Sequence, residues 1–368
     1  MSQVASKPAS RPSGERLSAR LPDATLRQWL FDMQLIREFE TRCMQAYQQA
    51  KIGGFCHIYI GQEACAVGTI GCLQKDDPVI TAYRDHGHAL ARGMSARACM
   101  AEMFGKLAGC AKGKGGSMHM FDKPNALYGG HGIVGAQTPL GAGLAFATRY
   151  EWEVLGTGTK KVTLCYLGDG AIDQGAFHEA LNLASLFGLP VIYVIENNGY
   201  SMGTAIHRHT ANHERLTMRG ESYGIKSIEI DGFDILNVYD QFKPLVDECR
   251  DLQRPGFVDL KTYRYQGHSM SDPQKYRTKE EVEQWKERDS IASLLHHLMN
   301  DRKAVTEDDW KAMQKEIADI VRDSVEFSEA AEPPDVDKEL YADVLVNPQP
   351  NMSPMGDYVH GARNPLLP

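Results

Sequence analysis

Apolar positions first recur at helical spacing after Pro22-Asp23, a pair that reads as a helix start. Leu26, Trp29, Leu30, Met33 and Ile36 share one face of a long amphipathic helix, with Gly53-Gly54 as its stop signal. Beyond it, short apolar runs at 79–83, 162–167, 191–195, 225–230 and 257–263 alternate with helical stretches. Such alternation predicts an α/β fold, a mostly parallel sheet with helices on both faces. Thr278-Lys279-Glu280-Glu281 predicts a capping box, and Thr306 to Asp309 a second helix start. Past Ala331 the prolines multiply and periodicity fades. The expected organisation is a flexible tail over 1–22, one α/β domain over 23–331 and an extended arm over 332–368.

Composition narrows this picture. The formal charge of -8 excludes a general nucleic-acid binder, since no basic excess is present to neutralise phosphates. No apolar run approaches the ~20 residues that span a bilayer. The first twenty residues mix Ser, Ala, Pro and Arg without an apolar segment, so they are no secretory signal. A short disordered tail in a cytoplasmic bacterial protein is the preferred reading, with a mitochondrial matrix presequence as the alternative. The 8 cysteines form no C-x-x-C pair, which points to reduced, buried thiols rather than zinc.

The chemistry concentrates between Lys161 and Gly203. A strand over 162–167 leads into Gly168-Asp169-Gly170, then a helix from Ala171 to Phe187, then a strand over 191–195 ending in Glu196-Asn197-Asn198-Gly199-Tyr200. Both polar clusters emerge at the carboxyl ends of parallel strands, where open α/β sheets bind ligands. The glycines flanking Asp169 let a phosphate approach the backbone, and the following helix offers it free N–H groups. Asp169, Asn198 and a nearby carbonyl form an all-oxygen set suited to Mg²⁺. Gly-Asp-Gly alone is an ordinary surface turn; followed one βα unit later by Glu-Asn-Asn, it reads as a metal–diphosphate site. Other phosphate motifs fail on spacing. Asp173 stands where a third dinucleotide-binding glycine belongs, and the run from Gly109 to Gly116 lacks P-loop spacing before Lys114.

This paired motif resembles the signature of thiamin-diphosphate enzymes, and its surroundings are similar to the α chains of the 2-oxo acid dehydrogenases. The resemblance rests on Phe55-Cys56-His57-Ile58-Tyr59-Ile60-Gly61-Gln62-Glu63-Ala64, on Tyr83-Arg84-Asp85-His86-Gly87 and on Lys112-Gly113-Lys114-Gly115-Gly116-Ser117-Met118-His119. Gly132-Ile133-Val134-Gly135-Ala136-Gln137 and Gly267-His268-Ser269-Met270-Ser271-Asp272-Pro273 follow in the family's order. Two departures stand out. His131 occupies a position where many relatives carry Asn, and the segment after Asp272 lacks a further serine found in mitochondrial relatives.

The resemblance implies a thiamin-diphosphate-binding fold and the cofactors thiamin diphosphate and Mg²⁺. By position, Asp169, Asn198 and the main-chain oxygen of Tyr200 would hold the metal. Tyr83, Arg84, His268, Gly170 and Ala171 would meet the diphosphate, and Gly132 and Val134 the aminopyrimidine ring. His57 and His268 would face the substrate. Implied partners are a β subunit in a two-α, two-β assembly and a lipoyl acyltransferase component, with neither nucleic acid nor membrane. The residues after His268 and Tyr200 resemble those of pyruvate-using members more than branched-chain or acetoin ones. In the family, the glutamate beside the pyrimidine ring belongs to the β chain. Glu63 is this chain's nearest counterpart by motif, but a capping role explains it. A Mg²⁺-dependent phosphohydrolase and an inactive scaffold paralogue stand as alternatives.

Overall fold

The computed structural model describes residues 16–340 and 342–343. Its centre is a sheet of six strands: β1 (Val79–Ala82), β2 (Leu127–His131), β3 (Thr163–Gly168), β4 (Val191–Asn197), and, after a small antiparallel hairpin of β5 (Tyr200–Ser201) and β6 (Thr204–Ala205), β7 (Lys226–Asp231) and β8 (Gly256–Lys261). The order is β2-β1-β3-β4-β8-β7, and every pairing in it is parallel. From β1 the chain steps outward to β2 and returns on the other side at β3. That reversal is a topological switch point, whose carboxyl edge opens into a crevice.

The helices, in chain order, are α1 (Asp23–Gln48), α2 (Glu63–Ile70), α3 (His86–Ala91), α4 (Ala96–Met103), α5 (Gln137–Glu153) and α6 (Gly175–Phe187). They continue as α7 (Met218–Glu221), α8 (Ile235–Leu252), α9 (Lys279–Lys286), α10 (Ser290–His296), α11 (Glu307–Ala330) and α12 (Val336–Glu339). Strand side chains alternate between two cores. Leu164, Tyr166, Ile192, Val194, Val258 and Leu260 point toward α1, α2 and α8. Cys165, Leu167, Tyr193, Ile195 and Phe257 point toward α5 and α6. Burial on both faces explains why these strands read as continuous apolar runs rather than alternating ones.

Each of the five expected strands forms, within a residue or two of its run. The sequence reading missed β2, whose segment Leu127-Tyr128-Gly129-Gly130-His131 carries two glycines and little apolar content. Gly130 is required there, because a Cβ would collide with the Asp85 carboxylate. Two helix boundaries also differ. α1 ends at Gln48, before the glycine pair, and the helix expected from Ala171 begins at Gly175, after a 3-10 turn over Asp169–Ala171.

The Thr306 capping box is complete with Asp309. At Thr278 the hydroxyl accepts from the Glu281 N–H, while the Glu281 carboxylate accepts from Tyr200 and Tyr263, each at 2.8 Å. Of the expected N-terminal tail, residues 1–15 lie outside the described residues. Leu17–Arg20 is a 3-10 turn in which Ser18 bonds to Asp240. Of the expected arm, 344–368 also lie outside them. Glu339, the last residue of α12, and Asp343 beyond it pair with Lys112 and Lys114.

Candidate active site

Five strand ends supply the candidate residues, and the topology brings those ends side by side. Tyr83 and Arg84 follow β1, Gly132 and Val134 follow β2, Asp169 to Ala171 follow β3, Asn198 and Tyr200 follow β4, and His268 lies beyond β8.

Asp169 is buried, and its Oδ2 has no hydrogen-bond partner. Burial pushes its carboxyl up to about 6, against hydrogen bonds from its own and Asn198's backbone N–H and the Arg264 charge. The Asn198 side chain is fixed at both ends. Its Oδ1 accepts from Tyr200 N–H at 3.2 Å and its Nδ2 donates to Gln62 Oε1 at 3.3 Å, leaving one lone pair on the oxygen. Tyr200 opens the β5–β6 hairpin, and its hydroxyl is committed to Glu281, so only its backbone is available to the cleft. Gly170 must be glycine, because a Cβ would strike Ser201 of that hairpin. The 3-10 turn carries a correction: the free N–H groups of α6 begin four residues further on than expected, so the tight turn itself faces any anion at Asp169.

A second cluster adjoins it. His57, Tyr83 and His268 pack together, with His268 edge to face against the other two and His57 tilted on Tyr83; ring centroids are 4.6 Å (His57–Tyr83), 5.1 Å (His57–His268) and 5.6 Å (Tyr83–His268) apart. Arg84 is buried and donates to the carbonyls of Ile58 (2.6 Å) and His268 (2.9 Å), which ties the 268 loop to the strand edge. Burial pushes His57 down to about 2 and His268 to about 4, and the Arg84 and Arg264 charges push both the same way. Both rings are therefore neutral at pH 7, and His57 Nδ1 is buried without a partner.

The sequence reading missed Arg264. It is among the largest fully buried side chains; its Nη2 donates to Met202 O at 2.9 Å, and its Nη1 has no partner. Burial and the Arg264 charge both depress Arg84. Two buried guanidinium groups that repel each other, beside neutral histidines and an unpaired carboxylate, are costly unless a polyanion and a cation join them. The available signal was an arginine at the end of an apolar run, four residues before His268.

Gly132 is pressed against His119, whose ring would lie 3.2 Å from a Cβ, and Ile133 and Val134 are exposed. Gly135, in the left-handed region, backs onto Gln174 and Ala171 O, which sets this loop beside the Asp169 turn. His131 Nδ1 stands 3.2 Å from Thr81 O, so the departure from Asn is absorbed by the β1 backbone.

Other candidates have structural tasks. Glu63 is buried, accepts from Gly61 N–H and pairs with Arg37 at 2.5 Å. The Gly109–116 run gives the N–H groups of Ala111, Gly113, Gly115 and Gly116 to the Glu102 carboxylate, so they are not offered to a phosphate. His86 pairs with Glu40. Among the described residues no helix is long and apolar enough to cross a membrane, and no group of three or more His, Cys, Asp and Glu residues is arranged to hold a metal.

Residues 31–337 match the model of the family described as Dehydrogenase E1 component. A Rickettsia typhi protein called pyruvate dehydrogenase E1 component subunit alpha is 48% identical over 315 residues, 86% of this chain and 94% of that one. The protein of the same name from Rhizobium meliloti is 49% identical over 86% of this chain and 88% of its own. A chloroplastic counterpart, subunit alpha-3 from Arabidopsis thaliana, is 41% identical over 82% and 70% respectively.

Proposed function

This chain belongs to the dehydrogenase E1 component family, and from that premise we propose that it is the α subunit of a pyruvate dehydrogenase first component. The reaction is the oxidative decarboxylation of pyruvate, with the acetyl group passed to the lipoyl group of an acyltransferase component. Thiamin diphosphate, when bound, supplies the electron sink for the departing CO₂. The rest is binding and positioning by this chain.

Asp169, the Asn198 amide oxygen and the Tyr200 carbonyl would hold Mg²⁺, whose contribution there would be to anchor the diphosphate rather than to polarise the substrate. Tyr83, Arg84, Arg264, His268 and the backbone at Gly170 and Ala171 receive the diphosphate, with charge-assisted hydrogen bonds from the guanidinium groups. The backbone at Gly132 and Val134 meets the aminopyrimidine ring. Neutral His57 and His268 face the substrate and can hydrogen-bond its carboxylate or keto oxygen. One observation carries this reading: Asp169 Oδ2 and Arg264 Nη1, opposite in charge and each buried without a partner at the same strand edge. A hydrolase would need a base beside the metal, and His209 stands 4.0 Å from Asp169. The two arginines, the paired histidines and the family favour decarboxylation.

The site is shared with a β chain in a two-α, two-β assembly. Glu63, the nearest carboxylate by motif, is already committed to Arg37. From Ile133 and Val134 an exposed apolar row continues along α5 through Leu140, Phe146, Tyr150 and Val154, the kind of surface that marks a protein contact. The bacterial relatives support a cytoplasmic location.

The test is thiamin diphosphate binding and CO₂ release by α alone, by β alone and by both, with and without Mg²⁺. Turnover is expected only from both chains with Mg²⁺, and with pyruvate ahead of 2-oxoisovalerate and acetoin in kcat/KM. Steady turnover by α alone, or binding indifferent to Mg²⁺, would refute the arrangement.

A further inference from the structure

His209 lies just after the 3-10 turn Ile206–Arg208, beside the end of β3, and its two ring nitrogens are treated differently. Thr210 Oγ donates to Asp173 Oδ2 at 2.8 Å, and Asp173 Oδ1 accepts from Arg219 Nη2 at 2.8 Å. A threonine hydroxyl has a single proton, and here it goes to Asp173. His209 Nδ1 lies 2.7 Å from the same hydroxyl oxygen, so it must be the donor in that contact. A neutral imidazole that carries its proton on Nδ1 presents a lone pair on Nε2.

That lone pair faces Asp169. His209 Nε2 and Asp169 Oδ2 stand 4.0 Å apart, both buried and both without a hydrogen-bond partner. Two acceptors opposed across such a gap lack the same thing, a donor or a cation between them. Buried polar atoms left unpaired in this way mark places a ligand completes.

We propose that His209 is a positioning residue for the divalent cation held by Asp169, its Nε2 accepting a hydrogen bond from a water in the cation's shell. The inference rests on the metal–diphosphate reading above and adds to it a relay from Arg219 through Asp173, Thr210 and His209 to the metal. Arg219 fixes Asp173, Asp173 accepts the Thr210 hydroxyl hydrogen bond, and Thr210 thereby sets the tautomer of His209. Partners of this kind characteristically change metal affinity about 10–100-fold.

The assembled α and β chains, saturated with thiamin diphosphate, are titrated with Mn²⁺, and the free ion is followed by its electron paramagnetic resonance signal. His209→Leu is expected to weaken Mn²⁺ about 10–100-fold, with the KM for pyruvate unchanged at saturating Mn²⁺. His209→Gln, whose amide oxygen reaches the Nε2 position, should recover most of the loss. Thr210→Val, which frees the tautomer, should weaken binding in the same direction. Melting in excess chelator separates a folding defect from a metal defect, and the proposal requires His209→Leu and wild type to melt alike there. Wild-type Mn²⁺ affinity in His209→Leu, while Asp169→Ala loses the ion, overturns the role of His209 alone. Wild-type affinity in Asp169→Ala overturns the metal site itself. A loss that His209→Gln fails to restore assigns the ring to packing and overturns the acceptor role.

Discussion

Two buried aspartates at opposite ends of the same sheet differ in one respect. Asp77, just before β1, accepts from the N–H groups of Gln74 (2.7 Å) and Val162 (3.0 Å) and from both terminal nitrogens of Arg250, at 2.9 and 2.5 Å. Asp169, just after β3, has an oxygen with no partner, near arginines that repel each other. Both side chains are withdrawn from water, so burial does not distinguish them. Completeness of pairing does. A charge whose lone pairs are all taken closes the amino edge of the sheet as structure. A charge left open at the carboxyl edge is held at a cost for a ligand to complete.

The largest effect should come from closing the open site artificially. Asp169→Asn removes the carboxylate proposed for the metal, and pyruvate decarboxylation by the α–β assembly should fall by more than the ~100-fold typical of a supporting residue. The cofactor-free protein should respond in the opposite sense. The folded carboxyl sits at about 6 against an ordinary 3.8, so the native state binds the extra proton between roughly pH 4 and 6. Its stability therefore falls as pH rises through that window. Above pH 6 the Asn variant should be more stable by roughly 1–3 kcal/mol, and the gain should vanish near pH 4. Chemical denaturation across pH checks this. A variant no more stable than wild type at pH 7 would mean that the Asp169 charge is not strained.

Opening the closed site is the converse. Asp77→Ala strands the buried Val162 N–H and leaves the half-buried Arg250 with only the Lys160 carbonyl, and should destabilise the fold by about 2–4 kcal/mol. Cofactor affinity of the folded fraction should be unchanged, since Asp77 is at the other end of the strands. Calorimetric titration below the melting transition separates the two. Arg264→Gln comes next in size. Loss of charge-assisted hydrogen bonds should weaken thiamin diphosphate by about 1.5–3 kcal/mol, and inorganic pyrophosphate competition should weaken in parallel. If only the thiamin portion were affected, Arg264 would not be a diphosphate ligand. Tyr200→Phe should have the smallest effect. It deletes one hydrogen bond to Glu281, worth about 0.5–1.5 kcal/mol of stability, while the backbone oxygen assigned to the metal stays. A large loss of Mg²⁺ affinity would show that the side chain matters after all.

How much of this was legible before the fold follows from which forces act locally. The strand runs at 162–167, 191–195 and 257–263 announced themselves because both faces are buried, and the stripe on α1 because one is. The metal candidates Asp169 and Asn198 were legible because a tight glycine turn and an Asx turn are local, each made within a few residues of its own strand. β2 was not legible, since its two glycines answer to Asp85 and Phe121 from other parts of the chain. Nor was the start of α6, where the 3-10 turn packs against the β5–β6 hairpin and delays the helix to Gly175.

By itself, then, the sequence determined the succession of strands and helices, the placing of polar clusters at strand ends and the family signature that runs through them. Tertiary structure alone decided which polar groups are satisfied. Glu63 became a structural ion pair because Arg37 reaches it from α1, and Glu102 took the amides of a glycine run that would otherwise be free to face a phosphate. Arg264 and His209, ordinary residues along the chain, became candidates for the site because the fold left one nitrogen of each buried and unpaired. Whether a buried charge is structure or site depends on the partners that surround it in space, and pairing at a distance leaves no period or spacing in the chain to read.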